Sequence, residues 1–322
     1  MSDSSSTNWP GRVLSGVVLL VSVAWIYWYA TSNPAAVDAI RGVSAGHLVV
    51  LSVLILGIFA TNGLFTMTVL AAYDMRISLR ESFQLSVATT AANYILPGRY
   101  GAGLRAVYLK GRAGFRLVDF LATLSGLSVI SLGVNGLLGI CSVALLAATG
   151  RPFDPWVASA FLVAVAGAGT LIAASTSTRA AARVRFRPVA EALAGWQRLQ
   201  RKPRLMMTLV AIAVGQTVLM LLQTVAAFHA IHVAVPLPDA LFFTCVKGLA
   251  LLTTITPGAL GVVEWLSVYM AKHLSFSPEQ AFAAQGLMRA VTIAAALTIG
   301  PIAALFLGTA HRRRQALGSE RR

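Results

Sequence analysis

The chain has 322 residues, of which 57% are hydrophobic and 11% charged, and its 26 lysines and arginines against 11 acidic residues give a formal net charge of +15. A soluble domain carries roughly a quarter of its residues charged. A soluble enzyme is therefore excluded, and the length is counted in membrane spans of about 20 residues each. Five of the cations fall in 99 to 116, eight in 176 to 206 and five in 311 to 322. Such clusters between apolar runs follow the positive-inside rule, and no nucleic-acid partner is expected.

Residues 13 to 31 are long enough to span and end in an aromatic belt of Trp25, Tyr27, Trp28 and Tyr29. They lack a small-x-small cleavage site, so they read as a first helix rather than a signal peptide. The runs 46 to 73, 117 to 149, 156 to 175, 207 to 231 and 281 to 308 bring the expectation to about six full spans. Within 117 to 149, Gly133 and Gly136 are read as helix-packing positions. Cys141 and Cys245 sit singly in apolar runs, as small buried residues do. His229 and His232 have no carboxylate in ligand spacing, so they read as interfacial packing and no metal is expected.

The charges set the direction of each span. With Arg12 cytoplasmic, residues 32 to 45 face out, and Arg76 and Arg80 return inside. The cluster 99 to 116 must also lie inside, yet the apolar stretch 82 to 96 intervenes. A re-entrant hairpin resolves this: 82 to 96 enters from the cytoplasm, turns at Pro97 and Gly98, and returns through 104 to 112. The problem recurs where 240 to 256 runs into "TPGALGVVEW" and emerges as 266 to 273, a second hairpin entered from outside. Both termini are then cytoplasmic.

The two turns match, "PGRYG" at 97 to 101 and "PGALG" at 257 to 261, each at the tip of the third element of its half. The expected fold is all-α: a polytopic membrane helical bundle of about six full spans plus two re-entrant hairpins, one integral domain over 1 to 322. Its halves, about 1 to 149 and 150 to 322, run in opposite senses as an inverted-topology repeat. In transporters of that plan the substrate site lies near the midplane, where broken helices meet.

A helix restarting after PGxxG presents unpaired N–H groups and the positive end of its dipole, which suit an anion. Arg99 and Arg105 reinforce this in the first hairpin, since an arginine fork fits phosphate; the alternative is that both snorkel to the headgroups. In the second hairpin Glu264 stands where the first has Arg105, with Arg289 and Lys247 as candidate partners. A substrate or proton role and a structural Glu264–Arg289 pair are both open. Asn93, one turn before Pro97, is placed to satisfy carbonyls freed by the break or to line a cavity.

The ordered set "NYILPGRYGAGLRAVYLKGR", "TPGALGVVE" and "LMRAVT" resembles the lysylphosphatidylglycerol synthase transmembrane-region family of flippase-like membrane proteins, over roughly residues 45 to 310. Members look like lipid translocators: one related region moves aminoacylated phosphatidylglycerol between leaflets, and others accompany polyprenyl-linked sugar pathways. The resemblance puts Asn93, Pro97, Arg99, Gly101, Arg105, Pro257, Gly258, Gly261, Glu264 and Arg289 on the family's recurring positions. Two departures put the headgroup chemistry of the best-known member in doubt. Ala102 stands where an acidic residue commonly follows the glycine, and "LSGLSVISL" at 124 to 132 lacks the usual acidic-arginine pair.

The function expected is that of a bacterial inner-membrane flippase for an anionic lipid, a phospholipid or polyprenyl-phosphate carrier, working by alternating access with no catalytic residue and no cofactor. One alternative is a non-transporting accessory subunit that presents lipid to a partner enzyme through the basic 176 to 206 segment. Another is an intramembrane lipid-modifying enzyme, disfavoured because Glu264 is the one obvious titratable candidate. With no soluble C-terminal domain in the chain, aminoacyl transfer is not expected of it.

The charge-derived topology is checked by single cysteines in a background without Cys141 and Cys245. Ala190→Cys and Gln315→Cys should be protected from an impermeant thiol reagent in intact cells, while Pro236→Cys should label. External labelling at 190 would overturn the inverted arrangement.

Overall fold

A computed structural model of the chain describes residues 9 to 95, 100 to 113, 115, 117 to 176, 197, 199 to 252 and 257 to 319. Among these the secondary structure is helical without strands, in keeping with an all-α class. The helices are α1 (Trp9–Ser32), α2 (Pro34–Arg41), α3 (Ala45–Ala71), α4 (Leu79–Ile95), α5 (Tyr100–Ala113), α6 (Leu117–Ala148), α7 (Pro155–Thr176), α8 (Pro203–Ala230), α9 (Leu237–Ala250), α10 (Val262–Ala271) and α11 (Pro278–Ser319). A 3-10 turn at Pro257–Ala259 precedes α10.

Five helical stretches, Ala45–Ala71, Asp119–Ala148, Pro155–Ala173, Pro203–Ala230 and Pro278–Thr309, are long and apolar enough to cross a membrane. The chain is a multi-pass helical membrane protein. The sixth expected span, 13 to 31, falls on α1, whose 24 residues would extend about 36 Å at 1.5 Å per residue. The segment expected as a plain outer loop contains α2, started by Pro34 in the first turn, where its missing N–H loses nothing.

Local chemistry ends the long helices. Asp74, Gly150 and His232 take left-handed φ of 58°, 66° and 59°. The following N–H then reaches back, Met75 to the Leu70 carbonyl, Arg151 to Leu146 and Val233 to Phe228. This closure satisfies carbonyls that the helix end would leave open.

Helix α3 packs along α8, α6 along α7, α4 along α11, and α9 against α6. Small residues set these approaches, as a Cβ on Gly136 would lie 2.8 Å from Val165 Cγ2 and one on Gly63 3.0 Å from the Ser82 backbone. The largest apolar cluster joins Phe59, Phe161, Phe228, Phe242 and Phe243 with Met270 and Phe282. Edge-on ring pairs at 5.7 Å, Phe161 with Phe242 and Phe228 with Phe243, fix its geometry. Five of the described helices are too short to count among the spans: α2 has 8 residues, while α4 and α5, of 17 and 14, pack together, and so do α9 and α10, of 14 and 10.

At the end of the bundle where α6 leads into α7, carboxylates tie three connections together. Arg151 Nη1 donates to both Asp239 oxygens at 3.1 and 3.0 Å, and Asp239 Oδ2 also accepts the Ser275 N–H at 2.9 Å. Asp154 caps α7 by accepting the Trp156 N–H at 2.8 Å, takes the Tyr269 hydroxyl at 2.6 Å, and lies 3.6 Å from His273 Nε2. Burial works to raise the Asp154 carboxyl, but Tyr269, the Trp156 and Val157 amides and His273 outweigh it and hold it below the usual aspartate range. The folded state thus binds fewer protons than the unfolded chain on the acid side. Stability from this site is complete above the unfolded value of about 3.9 and lost as pH falls through the lower folded value. Asp154→Asn should therefore flatten the acid limb of a thermal-stability profile taken in detergent; an unchanged limb would remove Asp154 from the acid response.

Candidate functional site

The second PGxxG turn shows what a break between helices requires. Gly258, Ala259 and Gly261 have φ of 59°, 53° and 83°, a left-handed run that is strained for the alanine. Gly258 also has no room for a side chain, since a Cβ would lie 2.6 Å from the Tyr94 ring of α4. The turn frees backbone groups, and two side chains take them. Arg289 of α11 donates from Nη1 to the Gly258 carbonyl at 2.9 Å, from Nη2 to the Ala259 carbonyl at 3.4 Å, and from Nε to Glu264 Oε1. Glu264 Oε2 accepts the Gly261 N–H at 2.7 Å, capping α10 from its third position.

Both side chains are buried, Arg289 with 9% and Glu264 with 3% of the side chain exposed. All three Arg289 nitrogens are engaged inside the protein, so the geometry gives this pair a structural task. Lys247 is not part of it. Its Nζ lies 3.3 Å from Thr224 Oγ1 and 3.4 Å from Met288 Sδ.

The first turn has a matching device. Asn93 Oδ1 of α4 accepts the N–H of Gly101 at 3.0 Å, and a Cβ on Gly101 would overlap the Thr89 carbonyl oxygen. Gly101 and Gly261 are the last residues of the two PGxxG motifs, and in each the N–H is taken by a side-chain oxygen. The expectation that these helix starts stand open to an anion is corrected to that extent, because a capped N–H has no capacity left for a ligand. Pro97 and Arg99 lie outside the described residues. Pro257 begins the 3-10 turn.

Arg105, in the second turn of α5, differs from Arg289. Among the described residues its guanidinium makes no hydrogen bond or ion pair, and its Nε is buried without a partner. It lines a cavity of about 330 Å³ together with Asn62, Ser86, Thr89, Asn93 and Ser128. The Ser86 hydroxyl, 1% exposed, also lacks a partner. The cavity wall includes Ala102, Leu124 and Leu127, the positions of the two departures noted in the sequence, and none of the described residues lining it is acidic.

A second cavity of about 190 Å³ shares Asn62, Thr90, Leu251 and Gly258 with the first and adds Gln216, Gln223, Lys247, Gln285 and Arg289. The amides here escaped sequence reasoning. The available signal was their placement: Gln216 and Gln223 are seven apart on one face of α8, and Asn62 faces them from α3, accepting the Gln216 amide N–H at 3.3 Å.

The Arg289 geometry makes a specific prediction about stability. Arg289→Met leaves a buried carboxylate and two carbonyls uncompensated and should destabilise by about 3 to 5 kcal/mol. The exchanged pair, Glu264→Arg with Arg289→Glu, should not recover this in thermal unfolding. A carboxylate cannot donate to the Gly258 and Ala259 carbonyls, and a guanidinium cannot accept the Gly261 N–H. Recovery in the exchanged variant would show that charge attraction alone holds the turn.

Among curated proteins none matches the chain. The Lysylphosphatidylglycerol synthase TM region family matches residues 13 to 300, a stretch that opens in α1, closes in α11 and contains both turns, both cavities and the Glu264–Arg289 pair. Through that match over most of its length, the chain belongs to the lysylphosphatidylglycerol synthase TM-region family.

Proposed function

We propose that the chain binds a phosphate-bearing anionic lipid between its two hairpins and moves it between the leaflets of a bacterial inner membrane without altering it chemically. The observation that carries this reading is Arg105, an arginine held without a partner among the described residues against a polar cavity. By insertion scales such a residue costs about 2.5 to 3.5 kcal/mol at the centre of a span. A guanidinium so placed is poised for an incoming anion, and its fork takes two phosphate oxygens at once. Ser86 adds a free hydroxyl. The lining groups are an arginine, hydroxyls and amides, which bind rather than transfer protons. Because no described lining residue is acidic, a phosphate without an amine is favoured over an aminoacylated headgroup.

An apolar groove of about 240 Å³, lined by Leu85, Leu104, Val107 and Leu307, lies on neighbouring faces of α4 and α5 against α11 and suits an acyl chain. In this reading both hairpins are re-entrant and the halves inverted, with both termini cytoplasmic. The two cavities open to opposite leaflets in turn.

Purified protein in vesicles, with no partner protein, tests the proposal through leaflet exchange of a labelled anionic phospholipid. Arg105→Ala should slow exchange about tenfold or more, as expected for losing hydrogen bonds to a charged group. Arg105→Lys should restore part of it, since an ammonium lacks the fork. The lipid recovered should be unchanged in mass. Unaltered exchange by Arg105→Ala would overturn the role of the cavity.

A further inference from the structure

We propose that the cavity around Lys247 is a second phosphate site, separated from the Arg105 cavity by the Gly258 turn. Lys247 lies on α9 and is 5% exposed. An ammonium has three donors and no acceptor. Its partners among the described residues are the Thr224 hydroxyl and the Met288 thioether, neither of them charged. Thr224 Oγ1 already accepts from Thr244 at 3.0 Å and donates to the Met220 carbonyl. Arg289 borders the same cavity, but Glu264 neutralises it. Lys247 is therefore the uncompensated cation of this space.

Two further groups point to a ligand. Gln223 and Gln285, 4% and 5% exposed, line the cavity with Lys247, and Gln223 Nε2 and Gln285 Oε1 have no partner among the described residues. Buried amides are normally satisfied. Here an ammonium and an amide donor converge with an amide acceptor on one space of about 190 Å³. An oxyanion takes the two donors, and a hydroxyl of a protonated phosphate or of its ester takes the acceptor. Inorganic phosphate and a phospholipid headgroup share this chemistry. The inference rests on the translocation reading only in taking the lipid as the source. Because Asn62, Thr90, Leu251 and Gly258 line both cavities, a headgroup leaving Arg105 for Lys247 passes the tip of the second hairpin.

The experiment is a thermal-shift titration of the full chain in neutral detergent with three probes. They are dioctanoyl phosphatidate, dioctanoylglycerol, which has the same chains without phosphate, and inorganic phosphate. Wild type should be stabilised by phosphatidate and not by dioctanoylglycerol. Lys247→Met should melt no lower than wild type without ligand, since it removes a buried unpaired charge. It should need about tenfold more phosphatidate for the same shift. Lys247→Gln, which keeps a polar contact to Thr224, should lose the response equally, and Lys247→Arg should keep much of it.

A Lys247-dependent shift with inorganic phosphate alone supports the site and makes free phosphate the source. An undiminished phosphatidate response in both Lys247→Met and Lys247→Gln overturns the site. If Arg105→Ala alone loses the response, the second site falls and the proposed function stands. If the two Lys247 variants alone lose it, the second site stands and the Arg105 reading falls.

Discussion

A broken helix among apolar helices frees backbone N–H and C=O groups that the protein itself must take, and the side chains set around the two PGxxG motifs follow from that constraint. The second break is closed by Arg289, whose three nitrogens serve Glu264 and the carbonyls of Gly258 and Ala259, while Glu264 covers the Gly261 N–H. Asn93 performs the last of these tasks for Gly101 in the first. Because Arg289 comes from another helix and Glu264 from the far side of the break, the second turn is fixed relative to the bundle as well as closed. Ala259 is held in a left-handed conformation by the same contacts.

The ionised groups then divide into two kinds. Glu264 with Arg289, Asp239 with Arg151, and Asp154 with Tyr269 and His273 are each matched to specific partners, and they connect helices that are remote in sequence. Among the described residues Arg105 and Lys247 have no carboxylate partner, and each lines a cavity. A buried charge without a counter-charge is costly wherever it stands. Two such cations line adjoining cavities. Ala102, Leu124 and Leu127 stand in the wall of the Arg105 cavity, and no described residue of that wall is acidic.

The apolar runs, the basic clusters and the second PGxxG were local properties, so the membrane class, the spanning helices and the break at 257 to 261 were legible from the chain alone. The role of Glu264 was not. A carboxylate three residues past a glycine is equally suited to capping, to proton transfer or to substrate, and only the position of Arg289, 25 residues on and in another helix, selects the first. Lys247 was one of two candidate partners for Glu264, and sequence position could not choose between it and Arg289. In space it meets Thr224 and Met288 from α8 and α11.

The short helix α2 was missed because its eight residues are no longer than a loop and are held by packing on α11. The cavities were invisible for a related reason, since each is bounded by residues from several helices, as Asn62, Gln223, Lys247 and Gln285 illustrate. Hydropathy and charge act residue by residue, and by themselves they determined the solvent, the helices and where the chain breaks. Which polar groups are paired and which, among the described residues, are left unpaired depends on distances of about 3 Å between separate helices, and only the tertiary structure decided those.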